Sequence, residues 1–290
     1  MLQVARLAPR QLGESRDLVA GFLRERLNPD GGFQDRSGAS DLYYTVFGLD
    51  ALIALQEELP VDATAAYLTG VGSPTDLDLV HVGCLARAWA ALKHLPDPAI
   101  VDRMIATVEA CRSEDGGYAT WPGEPHGSAY GAYIALGAYQ DVGREMPAPE
   151  RVLASIHTLR ARDGSYANDP DASSGMTPST AAAVLVMRHL GATPDRDAGM
   201  WLLDRCHKSG GFFASPDAPV PDLLSTATAL HALSSLHVPI AGIREPCLDF
   251  VDSLWTNRGG FFGTWADDDA DCEYTYYALL ALGHLSLDPA

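Results

Sequence analysis

Apolar residues between Arg16 and Leu27 fall at Leu18, Val19, Phe22, Leu23 and Leu27, a spacing that gives a helix one buried stripe. Asn28-Pro29-Asp30-Gly31-Gly32 stops it, Phe33 leads into a polar loop, and Asp41 stands where a helix cap belongs. The segment that follows, Leu42 to Leu55, is apolar on most sides, which suits a helix enclosed in an inner layer. The same alternation of an outer and an inner helix runs to the end of the chain. The second pair is Ala63–Leu68 and Leu79–Leu95, the latter opened by Asp76-Leu77-Asp78. The third runs from Ile100 through Asp115-Gly116-Gly117-Tyr118 to a helix near Ser128–Tyr139. The fourth runs from Glu150 through Asp163-Gly164-Ser165-Tyr166 to Thr180–Leu190. The fifth and sixth have outer helices near Asp197–Lys208 and Ile243–Trp255, and inner ones after Asp222 and Asp271.

The last two pairs superimpose in sequence. A shift of 49 residues carries Gly211 onto Gly260, Asp222 onto Asp271, Thr226 onto Thr275 and Leu233 onto Leu282. Self-similarity at a fixed period is the mark of a repeat architecture. Each inner helix is too apolar to face water, so six pairs close into a ring in which outer helices sheathe inner ones. The expected fold is all-α, an (α/α)6 toroid of six helix-pair repeats, with residues 1–290 forming a single domain. The turns Asp115-Gly116-Gly117-Tyr118, Gly210-Gly211-Phe212 and Gly259-Gly260-Phe261 read as structural: glycine reverses the chain and the aromatic fills the gap between units. The second pair has lost its glycines. Pro147, Pro149, Pro194, Pro239 and Pro246 fall between pairs, where connections belong.

Charge narrows the partners. A formal net charge of −18 argues against nucleic acid and against an anionic membrane surface, both of which need basic patches. No window is apolar for long enough to span a bilayer, and Met1–Ser15 lacks the apolar run of a signal peptide. The five cysteines, Cys84, Cys111, Cys206, Cys247 and Cys272, are odd in number and lack C-x-x-C pairs, which speaks against a disulfide framework or a zinc ribbon. A reduced, cytoplasmic setting is the expectation.

The Gly-Gly-aromatic turns, the segment Gly259-Gly260-Phe261-Phe262-Gly263-Thr264-Trp265 and the T-x-x-A-L inner helices resemble the superfamily of prenyltransferase β-subunits and squalene or terpene cyclases. That resemblance covers essentially the whole chain and implies an apolar central cavity. It places function at the N-terminal ends of inner helices. Asp271-Cys272-Glu273-Tyr274-Thr275 is similar to the D-x-C-Y-S zinc motif of protein prenyltransferases, with Glu273 in place of the cysteine. Asp41-Leu42-Tyr43-Tyr44-Thr45-Val46-Phe47-Gly48 is similar to the companion D-x-x-H-T-x-F-G, with Tyr44 in place of the histidine. If the ring closes, the sixth unit lies beside the first and the two stretches meet. Trp265-Ala266-Asp267-Asp268-Asp269-Ala270 stands where prenyltransferases carry an Arg and a Lys for the diphosphate, so a bare diphosphate would be repelled.

The cyclase branch implies another alignment. Its D-x-D-D-T-A motif places Glu273 at the proton-donating position, with Asp271 beside it to tune and hydrogen-bond the acid. A carboxyl in an apolar cavity next to a like charge titrates high, as a general acid requires. Tyr44, Phe47, Trp89, Tyr130, Tyr133, Tyr274 and Tyr277 are the candidate cavity lining that would stabilise a carbocation through their ring faces. Asp267, Asp268 and Asp271 also spell D-D-x-x-D, a magnesium-diphosphate pattern, and His81 keeps the D-x-x-H spacing from Asp78. Mg²⁺ or Zn²⁺ would be the metals at these positions.

Three functions follow. The first is an isoprenoid-acting enzyme resembling a small class II terpene cyclase, which protonates an alkene or epoxide. The second is a metal-dependent prenyltransferase. The third is a non-catalytic toroid that carries a lipid or docks a helical partner protein. The small-molecule partner in each case is a hydrophobic isoprenoid.

Overall fold

The computed structural model describes residues 1–287, and its helices follow one another in pairs. Two short helices, α1 (Leu2–Ala5) and α2 (Pro9–Leu12), precede the first pair, α3 (Arg16–Glu25) and α4 (Leu42–Ala54). Then come α5 (Val61–Gly70) with α6 (Leu79–Ala91), and α7 (Pro98–Ala110) with α8 (Ala129–Asp141). The fourth and fifth pairs are α9 (Pro149–Thr158) with α10 (Thr177–His189), and α11 (Arg196–Leu203) with α12 (Leu223–Ser235). The sixth is α13 (Arg244–Ser253) with α14 (Cys272–Leu285). Among the described residues, strands are only two residues long: β1 (Phe33–Gln34) pairs antiparallel with β2 (Ser40–Asp41), and β3 (Phe212–Phe213) with β4 (Pro221–Asp222). The all-α expectation holds.

Two compact units make up the chain. One joins Met1–Leu68 to the chain from Asp204 onward, and the other is Thr69–Leu203. In the first unit α14 packs against both α12 and α4, so the last inner helix lies beside the first. In the second, α8 packs against both α6 and α10. The inner helices are buried nearly all round; every residue of α10 from Ala181 to Met187 is buried. Such helices gain little from intrinsic propensity and much from enclosure, at about 1.5–3 kcal/mol for each fully buried large aliphatic side chain.

The repeated turn has one construction. Asp30, Asp115 and Asp163 each accept the backbone N–H two residues on, at 3.0, 3.0 and 3.1 Å. Bridges close the turns from Leu27 to Phe33, Arg112 to Tyr118, Arg160 to Tyr166, Cys206 to Phe212 and Trp255 to Phe261. All five of those aromatics are buried. In four repeats the aromatic's N–H donates to an inner-helix threonine: Phe33 to Thr45, Tyr166 to Thr180, Phe212 to Thr226 and Phe261 to Thr275, at 2.9–3.3 Å. The threonine of the T-x-x-A-L pattern therefore satisfies a buried donor that would otherwise cost about 1–3 kcal/mol. Gly259 (φ +100°) lets the sixth turn touch α3, where a Cβ would lie 2.2 Å from the Leu18 carbonyl oxygen.

The helix ends correct the sequence reading in places. α6 stops at Ala91 rather than Leu95, because Lys93 takes a positive φ of 54° and its N–H closes back on Ala90. α10 begins at Thr177 rather than Thr180, since Ser179 accepts the Met176 N–H and Pro178 fits the first turn. The first fifteen residues, to which the hydrophobic pattern assigned no element, supply α1 and α2. α1 packs on α14, with Ala5 and Ala8 buried, and a Cβ on Gly283 would lie 2.2 Å from the Val4 carbonyl oxygen.

Candidate active site at the start of the last helix

Asp271 caps α14 by accepting the Tyr274 N–H at 2.9 Å, and Asp41 caps α4 by accepting the Tyr44 N–H at 3.0 Å. Because the two helices are neighbours in one unit, residues at the same offset from the two caps meet. Tyr43 and Glu273 each lie two residues past a cap, and the Tyr43 hydroxyl donates to Glu273 Oε1 at 2.7 Å. Burial pushes the Glu273 carboxyl up to about 7; the Asp271 charge pushes the same way, while Tyr43 and Arg36 pull it down. The N-terminus of α14 also favours the carboxylate, by about 0.3–1 kcal/mol, which desolvation outweighs.

The tyrosine that holds this acid belongs to a cluster of rings. Tyr43 packs edge-on to Phe47 with centroids 4.9 Å apart, Phe47 lies 5.4 Å from Tyr277, and Tyr277 lies 6.5 Å from Tyr274. Tyr44 stands 5.8 Å from Tyr43, and burial raises the phenols of Tyr44 and Tyr274 to about 12. Four of the seven aromatics expected as cavity lining, Tyr44, Phe47, Tyr274 and Tyr277, thus belong to one cluster with Glu273. The other three lie in the second unit. Trp89 is a core residue of α6 beside His94, Tyr130 is exposed at the start of α8, and Tyr133 is half-buried on that helix.

The acidic stretch holds a partner that the sequence reading did not name. Arg36, from the loop between β1 and β2, donates to Asp271 Oδ2 at 2.9 Å and to both oxygens of Asp267 at 3.1 and 2.8 Å. Its guanidinium lies 5.6 Å from the centre of the Tyr274 ring. Burial raises the Asp271 carboxyl, and the Tyr274 N–H and Arg36 only partly offset it. For Asp267 the outcome reverses: burial is outweighed by Arg36 and the backbone donors, and the carboxyl is held below its ordinary range. The loop carrying Asp267, Asp268 and Asp269 is therefore tied to the first repeat, with Asp268 exposed.

The metal donor sets drawn from the resemblance do not assemble. Arg36 bridges Asp267 and Asp271, and a guanidinium between two carboxylates takes the place a cation would need. His81 serves its own cap, its Nδ1 lying 2.7 Å from Asp78 Oδ1. Among the described residues no three His, Cys, Asp or Glu side chains converge as a metal would require. Among the described residues no helix is long and apolar enough to cross a membrane.

The chain shares this architecture with proteins of different chemistry. It covers 91% of its length with 89% of Candida albicans protein geranylgeranyltransferase-I complexed with GGPP, at 12% identity and a TM-score of 0.67. It covers 96% of its length with 98% of the type II terpene cyclase MstE from Scytonema, at 14% identity and a TM-score of 0.67. A polysaccharide lyase matches at a TM-score of 0.60 and 12% identity, over 95% of this chain and 97% of that one. No curated protein matches in sequence. The family profile described as the prenyltransferase alpha-alpha toroid domain matches residues 10–85, 84–195 and 178–288. These matches span nearly the whole chain, and with the toroid architecture of its structural neighbours they establish that the chain belongs to the prenyltransferase alpha-alpha toroid domain family.

Proposed function

We propose that the chain is an isoprenoid-acting enzyme of the class II cyclase kind, in which Glu273 donates the proton that starts the reaction. One observation carries the reading: a largely buried carboxyl pushed by burial to about 7 and hydrogen-bonded to Tyr43, which packs into a cluster of rings with Phe47, Tyr277 and Tyr274. Fold alone does not decide function, since one toroid serves lyases, transferases and cyclases.

The chemistry follows from the hydrogen bond. Tyr43 occupies Oε1 as an acceptor, so the acidic proton of Glu273 resides on Oε2. Transfer of that proton to an alkene carbon consumes the π pair and leaves a carbocation; transfer to an epoxide oxygen uses a lone pair, after which a C–O bond opens to a hydroxyl and a carbocation, and in both cases Glu273 is left as carboxylate. The Tyr43 hydroxyl stabilises the carboxylate so formed. An epoxide asks less of an acid this weak, because its oxygen is more basic than a carbon–carbon double bond. Ring faces within reach then lower the energy of the cation, by about 0.5–2 kcal/mol each. Asp271 and Arg36 fix the end of α14 and balance one another's charge beside the acid. With Asp267, Asp268 and Asp269 alongside, that charge balance supports a substrate without a diphosphate head.

The test is mass spectrometry of products after incubation with isoprenoid diphosphates and their diphosphate-free analogues, epoxides included. Cyclised products from the diphosphate-free set, lost in Glu273→Gln at a melting temperature unchanged near pH 4, are the expected result. Undiminished turnover in that variant would end the proposal.

A further inference from the structure

Cys206 follows α11, and Cys247 lies in the first turn of α13, 41 residues later. The turn between Cys206 and Phe212 leans on that helix. Gly210 adopts φ +86°, and a Cβ there would lie 1.7 Å from the Pro246 carbonyl oxygen and 2.8 Å from the Cys247 nitrogen. The approach makes neighbours of the two thiols, which act on one another's titration; the Cys206 thiol itself donates to the His207 carbonyl oxygen at 3.6 Å, and the Gly211 N–H serves Cys247. Cys206 is half-exposed and Cys247 buried, while the other three cysteines, Cys84, Cys111 and Cys272, are buried.

We propose that Cys206 and Cys247 form a dithiol site that takes a low-molecular-weight disulfide as its oxidant and closes into an internal disulfide. The inference is independent of the reaction assigned to Glu273. Cys206, as thiolate, attacks one sulfur of the small disulfide and expels the other as thiolate, leaving a mixed disulfide on Cys206. Cys247 then attacks the Cys206 sulfur and releases the second small thiol. Two protein thiols and one small disulfide become one protein disulfide and two small thiols, which carry away the two protons. The roles follow from the surroundings. Cys206 and the Gly211 N–H hold the Cys247 thiol below its ordinary range despite burial, and the Gly211 N–H remains in place once Cys206 is a mixed disulfide, which suits a resolving thiolate. Cys247 and burial push the Cys206 thiol up, so the first step quickens as pH rises.

Oxidised glutathione is the probe, added to the full chain, with thiols counted after denaturation and disulfide-linked peptides mapped by mass spectrometry. The wild-type chain should fall from five thiols to three, lose the mass of two hydrogens and yield one cross-linked peptide pair containing Cys206 and Cys247. Cys247→Ser should instead retain one glutathione on Cys206, and Cys206→Ser should take up none. Five thiols remaining in the wild type, a stable glutathione adduct on it, or a linkage through any other cysteine would each overturn the proposal. The wild-type result decides even if a variant fails to fold.

Discussion

Replacing Glu273 by glutamine preserves shape and the acceptor for the Tyr43 hydroxyl but removes the titration, so its effect on stability depends on pH in a calculable way. In the fold the carboxyl titrates near 7, against an ordinary 4.5. A folded value above the unfolded one means stability is fully present below about pH 4.5 and is lost as pH rises through about 7. The gap, at about 1.4 kcal/mol per pH unit, sets an upper limit of about 3 kcal/mol once the group is ionised, nearly all of it lost between about pH 4 and pH 8.5. For a chain of this length each kcal/mol moves the melting temperature by about 2 °C. Scanning calorimetry of both proteins should therefore find them alike near pH 4 and the variant melting higher by about 6 °C at pH 8.5. Other groups titrate equally in both and cancel in the comparison. Parallel dependence of the two melting temperatures on pH would refute the burial of Glu273 and, with it, its standing as an acid poised near neutrality.

Four further outcomes are expected. Tyr43→Phe removes a donor that favours the carboxylate, so the basic limb of any pH–rate profile should move to higher pH, while a purely structural role would leave that limb in place. Arg36→Gln should destabilise by about 1–2 kcal/mol in denaturant titration and raise hydrogen exchange across residues 264–270, since two carboxylates lose their common partner. Thr226→Val strands the buried Phe212 N–H and should cost about 1–3 kcal/mol with the denaturant slope unchanged. Gly210→Ala should unfold the chain at far lower denaturant than Gly242→Ala, because a Cβ at Gly242 meets nothing within 4 Å.

Much of this arrangement is legible in the sequence, for reasons that differ by level. Outer and inner helices were readable because burial imposes periodicity, and the capping aspartates Asp41, Asp78, Asp222 and Asp271 sit where polar side chains interrupt apolar runs. Glu273 was readable from its place in a motif. Its link to Tyr43 was also available, since both follow a cap by two residues on helices that ring closure makes neighbours. Arg36 was not. It lies in a polar loop without periodicity, and its reach of more than 230 residues in sequence to Asp267 and Asp271 depends on how that loop is draped. The helices of the first fifteen residues escaped notice because they are one turn each, too short to show a stripe. Trp89 is buried on its inner helix, and helical position alone does not say which face such an aromatic takes.

The tether between α1 and the far end of α14 bears on how this protein should be handled at the bench. The family match begins at residue 10, so a boundary drawn from it would discard α1. That cut would strip the cover from Gly283 and remove one of the helices packed against α14. A shortened chain could thus keep every matched repeat and still lose grip on the segment whose opposite end presents Glu273. Native residues from Met1 onward belong in any activity assay, and bulky tags are better kept away from that end.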